Sequence, residues 1–177
     1  VPVNLLTAPA DVLPDTKVLA TVIGGVTEYC ATGSEAVCPG YDPPPEPEIP
    51  PGGGASASAF IEGNGPELAF DGSSDDWSIY SAGALAPQWI RFDFATPTTL
   101  AEVRLTVNQV PSGHTVHDLE FLIDGEWRAV TQFSGDTTTG DILVWSDGPV
   151  ADVSAVRVTT TESPAWPEWT EIEFTTP

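Results

Sequence analysis

An acidic loop in the middle of the chain carries the oxygen groups that a hard cation binds. It reads Asp71-Gly72-Ser73-Ser74-Asp75-Asp76. Calcium takes roughly six to eight oxygen ligands, and protein loops supply them as carboxylate and backbone carbonyl oxygens. The same composition also suits an ordinary solvated turn in which Asp71 accepts hydrogen bonds from backbone amides. The sequence therefore leaves two alternatives for this loop, a calcium site and a capped turn.

Two tryptophans near the end of the chain are candidates for stacking on a ligand. Trp166 and Trp169 lie in a short segment that also contains Pro164 and Pro167. Aromatic rings combine a large apolar surface with tolerance of partial exposure, which suits the C–H faces of sugars. The prolines restrict the loop and so lower the entropy cost of binding. Either ring could instead fill the end of a hydrophobic core, an alternative that applies above all to Trp169, which adjoins a predicted strand.

A polar segment over residues 108–117 is the third candidate. Asn108, Gln109, His114 and His117 all carry side chains that hydrogen-bond to hydroxyl groups. A zinc site built on the two histidines would need further ligands. The alternative is a polar loop in which His117 caps a strand.

The sequence contains no catalytic motif. It has no Gly-x-Ser-x-Gly elbow, no glycine-rich phosphate loop and no cysteine near a histidine. Acidic residues number 26, so paired carboxylates are too common to indicate a glycosidase. We predict a protein without catalytic activity.

The charge is strongly negative. Five basic residues stand against 26 acidic ones, and the net charge is −21. Such a surface repels nucleic-acid phosphates and anionic lipid headgroups, and it favours solubility in a salty or cation-rich medium. No stretch is apolar and long enough to span a bilayer. We therefore predict no nucleic-acid partner and no membrane insertion.

Two features indicate an extracellular location. The chain has no methionine, so we expect Val1 to follow a cleaved secretion signal. Cys30 and Cys38 are close in sequence, and in a secreted chain we expect them to form a disulfide, with two free thiols as the alternative.

The first 54 residues differ from the rest. In the predicted arm, residues 1–41, two β-rich runs flank Gly24-Gly25, which is typical of a hairpin. Residues 18–23 are apolar on both faces, so this hairpin needs a surface to pack on. Residues 42–54 are rich first in proline and then in glycine, which predicts a linker.

Residues 55–177 show the alternation of many short strands. In 102–107, for example, Val103, Leu105 and Val107 share one face. The predicted strands are 89–94, 102–107, 118–123, 126–133, 142–145, 155–160 and 170–174. Many short strands separated by Gly, Pro and Asp turns predict an all-β fold, an antiparallel β-sandwich.

Three short motifs carry a family resemblance. They are Ala69-x-Asp71-Gly72 with Trp77 following, Pro87-Gln88-Trp89-Ile90, and Glu171-Ile172 in the last strand. Over residues 54–177 the chain resembles the discoidin family of galactose-binding-like β-sandwiches, which includes the clotting-factor C-type domains and family 32 carbohydrate-binding modules. Two departures are a spacing from Asp71 to Trp77 that is one residue shorter and Asp75 in place of threonine.

The resemblance implies a discoidin-like jelly roll with a ligand site on loops at one end. It also implies a structural calcium ion that ties the acidic loop to the last strand. Asp71, Ser73, Asp75 and Glu171 fall on the family's ligand positions, with Asp76 as a further carboxylate. The sugar-binding candidates at the loop end are Trp166, Trp169, Asn108, Gln109, His114 and His117.

Two functional predictions follow. The first is a secreted, non-catalytic module of a bacterial or archaeal cell surface that binds a neutral glycan or surface polysaccharide. The second is a structural subunit of an extracellular filament, a homopolymer in which the N-terminal arm packs on a neighbouring subunit.

Overall fold

The structure is a computed structural model that describes residues 20–23, 26–30, 37–38, 53–73 and 77–177. The chain divides into two compact units, Val1–Glu46 and Pro47–Pro177. Predictions for the other residues, Asp75 and Asp76 among them, lie outside the described part. Within that part, no helix has the length and apolar character needed to cross a membrane.

The first unit contains the predicted hairpin. Strand β1 (Ala20–Ile23) pairs antiparallel with β2 (Val26–Cys30), which confirms the strands expected on either side of Gly24-Gly25. Cys38 is buried. The side chain of Cys30 lies outside the described part, so the disulfide between Cys30 and Cys38 stays a prediction.

The second unit is a two-layer antiparallel β-sandwich, which confirms the predicted fold class. One sheet has the strand order β3-β5-β10-β7-β8 and the other β4-β11-β6-β9. The strands are β3 (Gly53–Ala57), β4 (Tyr80–Ser81), β5 (Gln88–Leu100), β6 (Glu102–Val107), β7 (Gly113–Ile123), β8 (Glu126–Thr137), β9 (Ile142–Trp145), β10 (Val150–Glu162) and β11 (Glu168–Thr175).

The core lies between the sheets and follows the predicted alternation. Every second residue of β6 is buried, and Leu119 and Phe121 of β7 face it from the other sheet with no exposed surface. Phe121 packs edge-on against Trp145 of β9, with ring centroids 5.0 Å apart. Burying side chains of this size stabilises the fold by about 1.5–3 kcal/mol each.

The outer face of the larger sheet holds charged side chains in paired positions. The Arg91 guanidinium lies 2.7 Å from the Asp93 carboxylate, and both side chains are almost fully buried. Arg157 donates to Glu120 at 2.8 Å, and its guanidinium carbon lies 4.2 Å from the Trp127 ring centroid. The alternation placed Arg91 and Asp93 opposite the apolar face correctly, but it gave no sign that both would be buried.

The strands extend further than the sequence predicted. β7 begins at Gly113, so residues 113–117, predicted as part of a loop, are strand residues. β3 begins at Gly53, inside the predicted linker, and pairs with β5. Gly53 has a φ of +79°, and a side chain there would meet the backbone of Asp93. A 3-10 helix, Pro66–Phe70, was not predicted.

Candidate functional site

Three loops meet at one end of the sandwich. The 108–112 loop joins β6 to β7, and the 163–167 loop joins β10 to β11. They contact each other where Gly113 faces Pro164, because a Cβ on Gly113 would lie only 3.2 Å from the proline ring. The loop after β4 joins them through the Ala82 amide, which donates to the Pro167 carbonyl at 3.0 Å. The sheet pairing thus gathers segments that are far apart in sequence.

A shallow pocket of about 180 Å³ opens between these loops. It is lined by Leu85, Val110, Ala165, Trp166 and Glu168. The Trp166 side chain is 45% exposed. The pocket therefore combines an accessible aromatic ring and an apolar rim with one carboxylate.

The carboxylate of Glu168 is held in place from two sides. Its Oε1 accepts a hydrogen bond from the Ser81 hydroxyl at 2.6 Å, and its Oε2 accepts one from Asn108 Nδ2 at 3.0 Å. Asn108 Oδ1 in turn accepts from the Thr139 hydroxyl at 3.0 Å. Asn108 was predicted as a ligand residue and lies here, beside the pocket. Glu168 was not predicted as a ligand residue. Its position between Pro167 and Trp169 is the signal that the sequence offers for it.

Gln109 links two loops. It is buried, its Nε2 donates to the Pro111 carbonyl at 3.0 Å, and its Oε1 accepts from the Ser163 hydroxyl at 3.1 Å. The predicted ligand contact is corrected to a role in holding the loops, because both ends of the amide already have protein partners.

Trp169 and His117 lie in the core, which corrects their predicted role in ligand binding. Trp169 is 1% exposed, and its ring lies edge-on to the His117 ring with centroids 4.8 Å apart. His117 Nδ1 is 2.9 Å from the Thr160 hydroxyl. Burial lowers the pKa of His117 to about 4, and the negative charge of Asp118 opposes this only in part. The core alternative for Trp169 is therefore the correct one.

His114 lies on the opposite face of β7 from His117. Its side chain is half-exposed, and its Nδ1 is 3.6 Å from the Asp136 carboxylate. Residues of opposite faces cannot share a metal ion, so the structure offers no zinc site built on these two histidines. His114 is not among the residues that line the pocket.

The acidic loop contacts the last strand away from this pocket. Asp71 Oδ1 accepts from the Ser73 amide at 2.8 Å, and its other oxygen accepts from the Ser78 hydroxyl. This is the capped turn that the sequence allowed. Glu171 of β11 is 7% exposed, and its Oε2 has no hydrogen-bond partner among the residues that the structure describes. Burial, with a smaller contribution from the charge of Asp71, raises the pKa of Glu171 to about 7 against the hydrogen bonds of the Gly72 and Ile172 amides.

An unpartnered buried carboxylate beside a second carboxylate fits a cation that both would bind. Among the described residues, no three acidic, histidine or cysteine side chains cluster in this way. The capped turn explains Asp71 and Ser73 but leaves Glu171 Oε2 without a partner.

Comparisons with known proteins agree with the β-sandwich fold. The family model F5/8 type C domain matches residues 54–173. The chain therefore belongs to the F5/8 type C family, the discoidin family that its motifs resemble. A comparison with curated protein sequences gives no match.

Solved structures with the same fold include carbohydrate-binding modules. One is the family 32 module of C. perfringens NanJ in complex with galactose, with 14% identity and a TM-score of 0.59 over 69% of this chain and 92% of that one. A pectin-binding module has 14% identity and a TM-score of 0.57 over 73% and 91%. Chitosan-binding module 1 of a chitosanase/glucanase from Paenibacillus sp. IK-5 has 22% identity and a TM-score of 0.55 over 68% and 92%.

Proposed function

We propose that the protein is a carbohydrate-binding module and that a sugar residue binds in the pocket beside Trp166. The observation that carries the proposal is the partly exposed Trp166 ring next to the fixed Glu168 carboxylate. The ring supplies an apolar face for stacking, while the carboxylate accepts hydrogen bonds from the sugar. An apolar pocket with few, well-placed polar groups is the usual form of a small-ligand site.

The family and the fold support this proposal. The three relatives described above bind galactose, pectin and chitosan, which are neutral, acidic and basic in turn. The fold alone thus allows several sugar chemistries, and the side chains of each pocket must decide among them. We place the function outside the cell, in keeping with the secreted and surface proteins in which such domains are typically found. We propose that the protein binds a sugar and does not catalyse a reaction on it.

Binding to a glycan array by the native protein and by Trp166→Ala tests this function. Trp77→Ala is the matched control, since Trp77 is 91% exposed and does not line the pocket. We expect Trp166→Ala to lose glycan binding and Trp77→Ala to keep it. Equal binding by Trp166→Ala and the native protein would place the sugar elsewhere, and no binding by the native protein would refute the function.

We also propose a structural calcium ion between the acidic loop and β11. Asp71, Ser73 and Glu171 would hold it, with Asp75 and Asp76 as further predicted ligands. Such an ion would neutralise the buried Glu171 carboxylate and join the turn to the last strand. It would contribute stability and no catalytic step.

The filament alternative rests on the N-terminal arm, most of which lies outside the described residues. Assembly through that arm stays a prediction, because none of the described contacts favours it over the glycan-binding function.

A further inference from the structure

The described residues that line the pocket beside Trp166 carry negative charge and no positive charge. Among the five described residues that line it, Glu168 is the single ionisable one. Each carboxylate oxygen of Glu168 has one protein donor, the Ser81 hydroxyl or Asn108 Nδ2. A carboxylate has about four lone-pair positions, so acceptor capacity is left for a ligand.

The described basic side chains are paired elsewhere. Each of the four arginines lies within ion-pair distance of a carboxylate outside the pocket: Arg91 near Asp93, Arg104 near Glu102, Arg128 near Asp124 and Arg157 near Glu120. No arginine or lysine is among the described residues that line the pocket. A sugar carboxylate would therefore meet Glu168 without a compensating positive charge, on a chain whose net charge is −21.

An ammonium group on the sugar would instead be attracted to the Glu168 carboxylate. It supplies three N–H donors and a full positive charge, whereas a sugar hydroxyl supplies one neutral donor. Either donor makes a charge-assisted hydrogen bond to the ionised carboxylate, and only the ammonium adds the attraction between two opposite charges. The Ser81 and Asn108 bonds hold the Glu168 carboxylate in one orientation, which lowers the entropy cost of the contact.

From this we infer that Glu168 is a specificity-determining residue and that the pocket prefers a hexosamine with a free ammonium group over neutral and acidic sugars. The inference rests on the proposed sugar binding in the same pocket. It refines the neutral glycan expected from the sequence to a cationic amino sugar.

The test uses methyl glycosides that each differ from a parent hexose at one carbon, C2 for the amino and N-acetylated sugars and C6 for the uronic acids. Glucosamine and galactosamine are each compared with the parent hexose, the N-acetylated sugar and the corresponding hexuronic acid. Dissociation constants are measured by NMR titration of the whole chain, at a pH where the amine is protonated and at about 0.15 M salt, where charges are screened beyond about 8 Å.

Two variants that each lack one negative charge distinguish a contact between the ligand and Glu168 from the effect of the net charge of the protein. Glu168→Gln removes the pocket's charge and keeps its shape, because the new amide can donate to the Ser81 hydroxyl and still accept from Asn108. Glu126→Gln removes one charge from the exposed first residue of β8, at the opposite end of β7 from the pocket.

For one of the two hexosamines, we expect binding about tenfold tighter than for its parent hexose, with weaker binding still of the uronic acid. Glu168→Gln should lose that preference, so that it binds the hexosamine no more tightly than the hexose. Urea denaturation of the variant shows separately that it is folded. Glu126→Gln should bind like the native protein.

Three results would overturn the inference. They are equal binding of hexose and hexosamine, a preference that survives Glu168→Gln, and a preference that Glu126→Gln loses to the same extent. In each of these results sugar binding itself remains. Failure of every sugar here and on the glycan array would instead remove the proposed function, and the inference with it.

Discussion

Asn108 Nδ2 donates to Glu168 Oε2 at 3.0 Å, across 60 residues of sequence. The bond joins the loop after β6 to the first residue of β11. It is possible because β6 and β11 are hydrogen-bonded neighbours in the smaller sheet, with Trp169 opposite Val107. The register of two strands thus decides where the pocket carboxylate lies.

Replacing Asn108 with alanine should weaken sugar binding more than it weakens the fold. It removes the donor to Glu168 and the acceptor of the Thr139 hydroxyl. We expect a dissociation constant about fivefold higher, equivalent to about 1 kcal/mol of binding free energy. NMR titration and urea denaturation measure the two effects. Gln132→Ala, which breaks an exposed bond to Asp118, is the control and should bind normally.

The two tryptophans of the C-terminal segment should respond differently to truncation. Trp169 is fully enclosed, so Trp169→Ala should lower the free energy of unfolding by about 3–5 kcal/mol. Trp166 is half-exposed, and Trp166→Ala should cost no more than about 1 kcal/mol. Urea denaturation of both variants measures the difference, with Trp169→Phe as a milder change if the alanine variant does not fold. Equal losses would mean that Trp166 belongs to the core.

Alternation predicted the sandwich well where a strand has one buried and one more accessible face, as β6 does. Val103, Leu105 and Val107 are an example. The same reasoning failed for Gln109 and His117, since their burial depends on partners supplied by Ser163 and Thr160 from other strands and loops. Polar residue types alone do not tell whether a side chain faces a ligand or a protein partner. Trp166 was predictable as a candidate, whereas Glu168 required knowledge of which residues lie beside it.

Glu171 should control the response of stability to calcium. Because its buried Oε2 has no partner in the described part of the chain, Glu171→Gln should raise the free energy of unfolding in the presence of a chelator. The native protein should gain about 2.7 kcal/mol at a calcium concentration of about 100 Kd, and the variant should gain little. Thermal denaturation with calcium and with chelator gives both values. Glu162→Gln, on an exposed residue of β10, is the control. An equal calcium gain in Glu171→Gln would place the ion elsewhere or indicate that none binds.

His117 should make the fold sensitive to mild acid. Its pKa in the folded protein is about 4, below the ordinary value of 6.5, because burial against Trp169 disfavours the charged ring. The unfolded chain therefore binds this proton more readily than the folded protein. The contribution is complete above pH 6.5 and is lost as the pH falls towards 4, by on the order of 3 kcal/mol at 1.36 kcal/mol per pKa unit.

Urea denaturation at several pH values within that window, on the native protein and on His117→Gln, measures this contribution. Glutamine keeps a hydrogen-bonding group for Thr160 but does not titrate, so the variant should show a flatter dependence of stability on pH. His114→Gln is the matched control for replacing a histidine with glutamine, because His114 is half-exposed on the opposite face of β7. If His117→Gln loses as much stability in acid as the native protein, the acid sensitivity must come from other groups, and His117 titrates in the folded protein much as it does in the unfolded chain.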